Sequence, residues 1–278
     1  MFLSGIADEA GKTIEDQIRA HQELGWSHIE IRNVDDTTLA NAAEKEFEAI
    51  RVKIEEAGMQ VSCFASRIAN WARDIKSPLD DDIEELKASI PRMKAMNTPF
   101  IRTMTWANKS NVSEAEWRRD ALARMKELVK IAEDGGVTLV HENCDGWAGL
   151  GPEQTLEMLG EIASPALKLV YDTGNPIAHQ QDPWDFYSKV RDHIVYVHIK
   201  DGVRKDGEPR FLMCGDGDAR VPETIEDLFA RGYDGGLSIE PHIHAQVHLG
   251  TEGDPEEKYR TYCEYGRRLM ALVEAARA

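Results

Sequence analysis

Cysteine is scarce: Cys63, Cys144, Cys214 and Cys263 are the only four in 278 residues, and no two form a C-x-x-C pair. That argues against a disulfide scaffold and predicts reduced thiols in a cytoplasmic protein. Positive charge is also short. Lysine and arginine total 33 against 50 aspartates and glutamates, a formal net charge of -17. So broad a negative field repels a phosphate backbone, and nucleic acid is not an expected partner. No apolar run approaches the roughly 18 residues that a membrane span requires. The apolar stretch in the opening MFLSGIADEA is too short for a signal peptide, so no membrane partner is expected either. A G-x-G-x-x-G turn is missing after the early strands, which argues against an open dinucleotide-binding sheet.

What the sequence does contain is regular alternation. Short apolar runs at 2–8, 28–34, 60–66, 100–106, 137–143, 167–173, 194–201 and 236–241 read as strands. Charged amphipathic stretches such as TIEDQIRAHQELG and EAEWRRDALARMKELVKIAEDGG lie between them, several ending in glycine at the expected helix stop. A strand recurs roughly every 30 residues, the length of one strand–helix unit. Eight such units predict a (β/α)8 barrel formed by one domain over 1–278. The segment 202–221, GVRKDGEPRFLMCGDGDARV, is the least helix-like connection and reads as a long loop.

Chemistry in such barrels sits at the C-terminal strand ends, and side chains there alternate between the interior and the helix layer. In the seventh strand Val195, Val197 and Ile199 face the helices, leaving Tyr196, His198 and Lys200 inside. The eighth turns Ser238 and Glu240 inward, and the sixth Lys168, Val170 and Asp172. In the fifth, the inner set Thr138, Val140 and Glu142 sends Leu139 and His141 outward. The inner sets of the second and fourth strands include Glu30 and Arg32, and Arg102 and Trp106.

Four successive strands therefore each carry one inward polar residue near the mouth: Glu142, Asp172, His198 and Glu240. Three crowded carboxylates in a medium of reduced dielectric repel one another unless a cation is present. One divalent ion resolves the conflict, and oxygen-rich ligation with a single imidazole suits Mn2+, with Mg2+ or Co2+ as alternatives, better than structural Zn2+. Taken singly, Asp172 could organise a turn, His198 could be a satisfied core histidine, and Glu240 could pair with a lysine.

HEN, YDTGN, HIKD and SIEP, in this order at these strand ends, resemble the xylose-isomerase-like barrel superfamily, specifically its sugar phosphate isomerase/epimerase group. The resemblance covers the whole chain and implies that Glu142, Asp172, His198 and Glu240 bind the ion while Glu142 and Glu240 exchange the proton. The related ketose 3-epimerases place an arginine six residues after the ligand histidine, which Arg204 matches. They also place a histidine three residues after the ligand aspartate and a glutamate six residues after the first ligand glutamate. Asn175 and Ala148 stand at those positions here, which argues against free ketohexoses as substrates.

The expected chemistry is proton abstraction beside a carbonyl, through an enediolate, giving isomerisation or epimerisation of a sugar-like substrate. The same first step followed by loss of a β substituent makes the alternative a lyase or deglycosidase on oxidised (3-keto) glycosides. An endonuclease-like hydrolase and a non-catalytic carbohydrate-binding protein fit less well: the first needs more metal ligands and a basic face, and the second needs no paired glutamates. Substrate contacts are expected from Arg204, Lys200, Trp147, Asn175, His244 and Arg102, with Trp147 stacking on the sugar ring. HIHAQVH (242–248) offers His242, His244 and His248 as surface or substrate contacts or as a second metal site. GDGD (215–218) reads as a tight turn, Trp26 as helix-to-strand packing, and the runs DDDIEEL and GDPEEK as solvated helix starts. The assembly is a monomer or a homo-oligomer.

Overall fold

Residues 1–243 and 254–277 are described by a computed structural model of the chain. Its strands and helices alternate as β1 (Phe2–Gly5), α1 (Ile14–Glu23), β2 (His28–Ile31), α2 (Glu44–Glu56), β3 (Gln60–Phe64), α3 (Asp80–Ala95), β4 (Phe100–Thr105), α4 (Glu114–Gly135), β5 (Thr138–Gly146) and α5 (Pro152–Ile162). The second half continues with β6 (Leu167–Asp172), α6 (Asn175–Ala178), α7 (Pro183–Val190), β7 (Ile194–Ile199), β8 (Asp201–Lys205), β9 (Glu208–Leu212), α8 (Val221–Ala230), β10 (Gly236–Ile239) and α9 (Pro255–Arg277). Eight strands pair in parallel in the order β1-β10-β7-β6-β5-β4-β3-β2. A parallel bridge between Ile6 and Glu30 joins the two ends and closes the barrel.

Local chemistry sets the helix boundaries. Thr13, Ser113 and Asp182 cap α1, α4 and α7 by accepting the amides of Asp16, Glu116 and Asp185. Gly136, at φ 68°, ends α4 in the left-handed conformation that glycine adopts without a steric penalty. The outward strand residues pack against the helices in two large apolar clusters. Inside the barrel, Cys63, Val140, Val170 and Tyr196 form a small separate plug below the mouth. The parity argument thus holds for β5, β6 and β7. It fails for Trp106, just past the end of β4: at φ 53° the backbone swings the indole outward, where its Nε1 donates to Asp82 at 2.7 Å.

Asp82 also corrects the reading of DDDIEEL as a solvated helix start. Asp82 and Glu85 are buried, accept the amides of Ala69 and Arg67, and pair with Arg73. The first two turns of α3 therefore anchor the 66–75 loop over the barrel mouth. The segment 202–221 is likewise not an irregular loop, because β8 and β9 form an antiparallel hairpin. Asp206 and Gly207 connect them at positive φ, the Asp-Gly signature of a two-residue turn.

The rest of that segment hangs on Asp201. Its Oδ1 accepts the amides of Gly202 and Ala219, and its Oδ2 those of Gly215 and Gly217, at 2.9 to 3.2 Å. A Cβ at Gly217 would strike this carboxylate. Asp201→Ala leaves four amides without their acceptor, and we expect a loss of about 3 kcal/mol or more. A urea midpoint unchanged from wild type would refute this. Among the described residues, no helix is long and apolar enough to cross a membrane, and all four cysteines are free.

Candidate active site

The C-terminal ends of β5, β6, β7 and β10 bring Glu142, Asp172, His198 and Glu240 together. One ligand atom from each lies within 4.8 Å of the others, and all four residues are buried. Register contributes directly: Asp172 pairs with His198 across β6 and β7, and His198 with Ser238 across β7 and β10. The backbone then carries Glu240 two residues further toward the mouth.

Three features show that this donor set fits a divalent cation. Glu142 Oε2, Asp172 Oδ2 and Glu240 Oε2 are buried without a well-aligned hydrogen bond. His198 turns Nδ1 toward the carboxylates, 3.3 Å from Glu142 Oε1 and 3.8 Å from Glu240 Oε2. The Lys200 ammonium lies 2.9 Å from both Asp172 Oδ2 and Glu240 Oε2, a positive charge where the carboxylates demand one. These pairs are close in distance but poorly aligned, so they neutralise charge without satisfying the orphaned oxygens.

Electrostatics divides the carboxylates. Burial pushes Asp172 up to about 7; Lys200 opposes the rise, and Glu240 and Glu142 add to it. Burial also opposes ionisation of Glu142, but Arg102, 3.3 Å away, and the His198 hydrogen bond hold it at about 2. Glu240 goes well below the ordinary range, because Lys200, His242, His198 and Arg32 outweigh its burial. Without a metal the cluster thus retains protons near neutrality: burial raises Asp172, and His198, although burial opposes its charging, is raised well above its ordinary value by Glu30 and Glu142.

A cleft of about 500 Å3 opens above the cluster. Glu142 and Glu240 line it, whereas Asp172 and His198 do not. Lys200, Asn175 and Arg102 also line it. Asn175 is already committed on both sides: Nδ2 donates to Glu142 Oε1 at 3.3 Å and Oδ1 accepts from Lys200 Nζ at 3.1 Å.

Other expected contacts fall elsewhere. Trp147 is 2% exposed and lies in the helix-side core, because the chain turns away from the cleft at Gly146, φ 123°. Arg204 donates to the carbonyls of Ile177 and Ala178 at 3.2 and 3.0 Å, tying the β8–β9 hairpin to α6 rather than reaching the cleft. Ala148 is fully buried outside the cleft, so its small side chain leaves the wall unchanged. His244 and His248 lie outside the described residues.

Among the cleft residues that sequence reasoning missed are Trp71 and Phe211. Trp71 belongs to the loop that α3 anchors. Phe211 belongs to the hairpin, where alternation in EPRFL was the available signal. His242 also lines the cleft, with Nδ1 3.0 Å from Glu9 Oε1. Glu9, Glu240 and His242 form a second close group. This group shares Glu240 with the first, and Arg32 lies 3.4 Å from Glu9 and 3.3 Å from Glu240.

A family model of the xylose isomerase-like TIM barrel matches residues 18–269. The chain belongs to this family. The chain is 29% identical over 173 residues to the 2-epi-5-epi-valiolone 7-phosphate 2-epimerase of Actinoplanes sp., covering 62% of this chain and 61% of that protein. It is 26% identical over 156 residues to an inosose dehydratase of Clostridium tetani, covering 50% and 52%. The chain thus spans about half to three fifths of the length of these curated relatives. The solved structure of an L-ribulose 3-epimerase superposes with a TM-score of 0.75 at 17% identity, over 99% of this chain and 95% of that one, which is a likeness of fold.

Proposed function

We propose that this family member is a divalent-metal-dependent isomerase or epimerase of a sugar-like hydroxyketone. The observation that carries the reading is the division of labour among the four donors: Asp172 and His198 reach the cluster but not the cleft, while Glu142 and Glu240 reach both. The first two are built to hold an ion, and the other two can hold it and also meet substrate. Three carboxylates and one imidazole suit Mn2+ first, then Mg2+ or Co2+. When bound, the ion supplies Lewis acidity that favours loss of a proton beside a carbonyl.

The chain's own residues supply the rest. Glu142 and Glu240 stand on strands separated by β6 and β7, so one removes a proton from one side of a bound carbon and the other returns it. Arg102 holds Glu142 ionised, and Arg32 and Lys200 do the same for Glu240. Asn175 fixes Glu142 against Lys200. Trp71 and Phe211 give the cleft an apolar wall against which a ring can lie. The acidic chain and small cleft fit a small-molecule substrate, and the free thiols fit a cytoplasmic setting.

A second reading is supported by Lys200. Its buried ammonium lines the cleft and can protonate an oxygen leaving the β carbon, which would make the protein a lyase or dehydratase. The relative named an inosose dehydratase fits that course. Solvent deuterium incorporation into ketoses and 3-keto-glycosides with Mn2+ present tests both readings, because exchange reports enolisation and the product distinguishes epimer from eliminated fragment. No exchange with any substrate in the panel would remove the enolisation reading. Phe211→Ala should raise KM with little change in kcat if the ring only packs against substrate; an unchanged KM would place substrate elsewhere.

A further inference from the structure

Glu30 on β2 is fully buried, yet it belongs neither to the cleft wall nor to the four-donor group. Its Oε1 lies 3.1 Å from His198 Nε2, and its Oε2 accepts a 2.6 Å hydrogen bond from Ser238 Oγ. Ser238 stands beside His198 in register, and the Ile6–Glu30 bridge holds β2 against the end of β1. Cys63 of the apolar plug pairs with Glu30 in register across β2 and β3, and Tyr196 of the plug precedes His198 by two residues on β7. A carboxylate buried this deeply is strongly unfavourable unless it is paired and hydrogen-bonded, so its partners indicate its purpose. They are the far nitrogen of the candidate ligand imidazole and a hydroxyl that orients the carboxylate.

We propose that Glu30 is a positioning residue for the metal centre: it accepts the Nε2 proton of His198, so that the Nδ1 lone pair faces the ion, and Ser238 holds Glu30 in that pose. A neutral imidazole donates from one nitrogen and ligates through the other, and the hydrogen bond made by the first decides which. Here the two sides are already distinguished, with Nδ1 toward Glu142 and Glu240 and Nε2 toward Glu30. Glu30 is not a fifth ligand, because the imidazole stands between it and the cluster and Ser238 occupies its second oxygen. Nor is it a base, because it does not reach the cleft.

This proposal rests on the metal-dependent reading above, and its test separates the two. Metal-stripped wild type, E30Q and S238A are titrated calorimetrically with Mn2+, and their melting temperatures are recorded without metal. Glutamine keeps the shape and an acceptor but removes the charge, and E30Q should weaken Mn2+ binding by about 10- to 100-fold. S238A should weaken it less. E30Q that binds Mn2+ within about threefold of wild type overturns the proposal, including the case where only its metal-free melting temperature falls, as a purely structural role would require. Wild type that binds none of Mn2+, Mg2+ and Co2+ overturns the metal-dependent reading itself, and this proposal with it. If E30Q does not fold, nitrogen-15 NMR of Mg2+-loaded wild type decides the matter, with the His198 signal assigned by its loss in His198→Gln. A protonated Nε2 with unprotonated Nδ1 supports the role, and the opposite tautomer overturns it.

Discussion

Glu142→Gln and Glu240→Gln should each reduce kcat by about 10^2- to 10^4-fold, the range that positioned acid–base groups contribute. The two losses should differ in kind. Each amide keeps one oxygen that can still ligate but cannot take a proton. Proton exchange from the side served by the surviving carboxylate can therefore persist in one variant after net conversion has stopped. Solvent deuterium incorporation measured beside product formation separates these events. Glu142→Gln also leaves Arg102 without the carboxylate 3.3 Å away, while Asn175 can keep its hydrogen bond to the amide oxygen. Glu240→Gln leaves Arg32 paired with Asp8 and Glu9, and Lys200 with Asp172. Poorer folding is therefore expected from Glu142→Gln than from Glu240→Gln. Full turnover in either variant would reject a two-carboxylate mechanism.

The barrel was legible because its signals are periodic: strands recur at strand–helix spacing, and alternation within β6 and β7 assigns each side chain a direction. That same alternation pointed Glu142, Asp172, His198 and Glu240 inward, where the structure brings their ligand atoms within 4.8 Å. The cleft wall was harder to read, because loops have no period. Trp147 follows a strand end and carries a ring suited to sugars, yet the turn at Gly146 sends it into the helix layer. Trp71 lies beyond the end of β3 in the loop that leads to α3, and the anchoring of that loop by Asp82 and Glu85 brings it to the cleft. Arg204 matched a spacing, but spacing along a hairpin does not specify which edge meets solvent and which meets α6. Parity placed Glu30 inside the barrel. Its partner His198 lies 168 residues away, beyond the reach of any local pattern.

Asp172→Asn should abolish activity and at the same time stabilise the metal-free protein. In the fold, burial raises the Asp172 carboxyl from the ordinary 3.8 to about 7 despite Lys200. Between those values the native state holds a proton that the unfolded chain has released, so metal-free stability falls as pH rises through that window. A rise of this size corresponds to roughly 4 kcal/mol at pH above 7. Asparagine recovers only part of it. Its oxygen can still accept the amides of Gly174 and Asn175, but its NH2 group would face the Lys200 ammonium. We expect the metal-free melting temperature to rise by roughly 3 to 6 °C at about pH 8. The difference should shrink as pH falls through that window and vanish only below about 3.8, where Asp172 is protonated in the unfolded chain as well. Excess Mn2+ should reverse the order, because a ligand that binds only the native state stabilises it by mass action and the variant has lost a donor. A metal-free variant that melts below wild type at about pH 8 would mean that the Lys200 contact outweighs the burial of the charge.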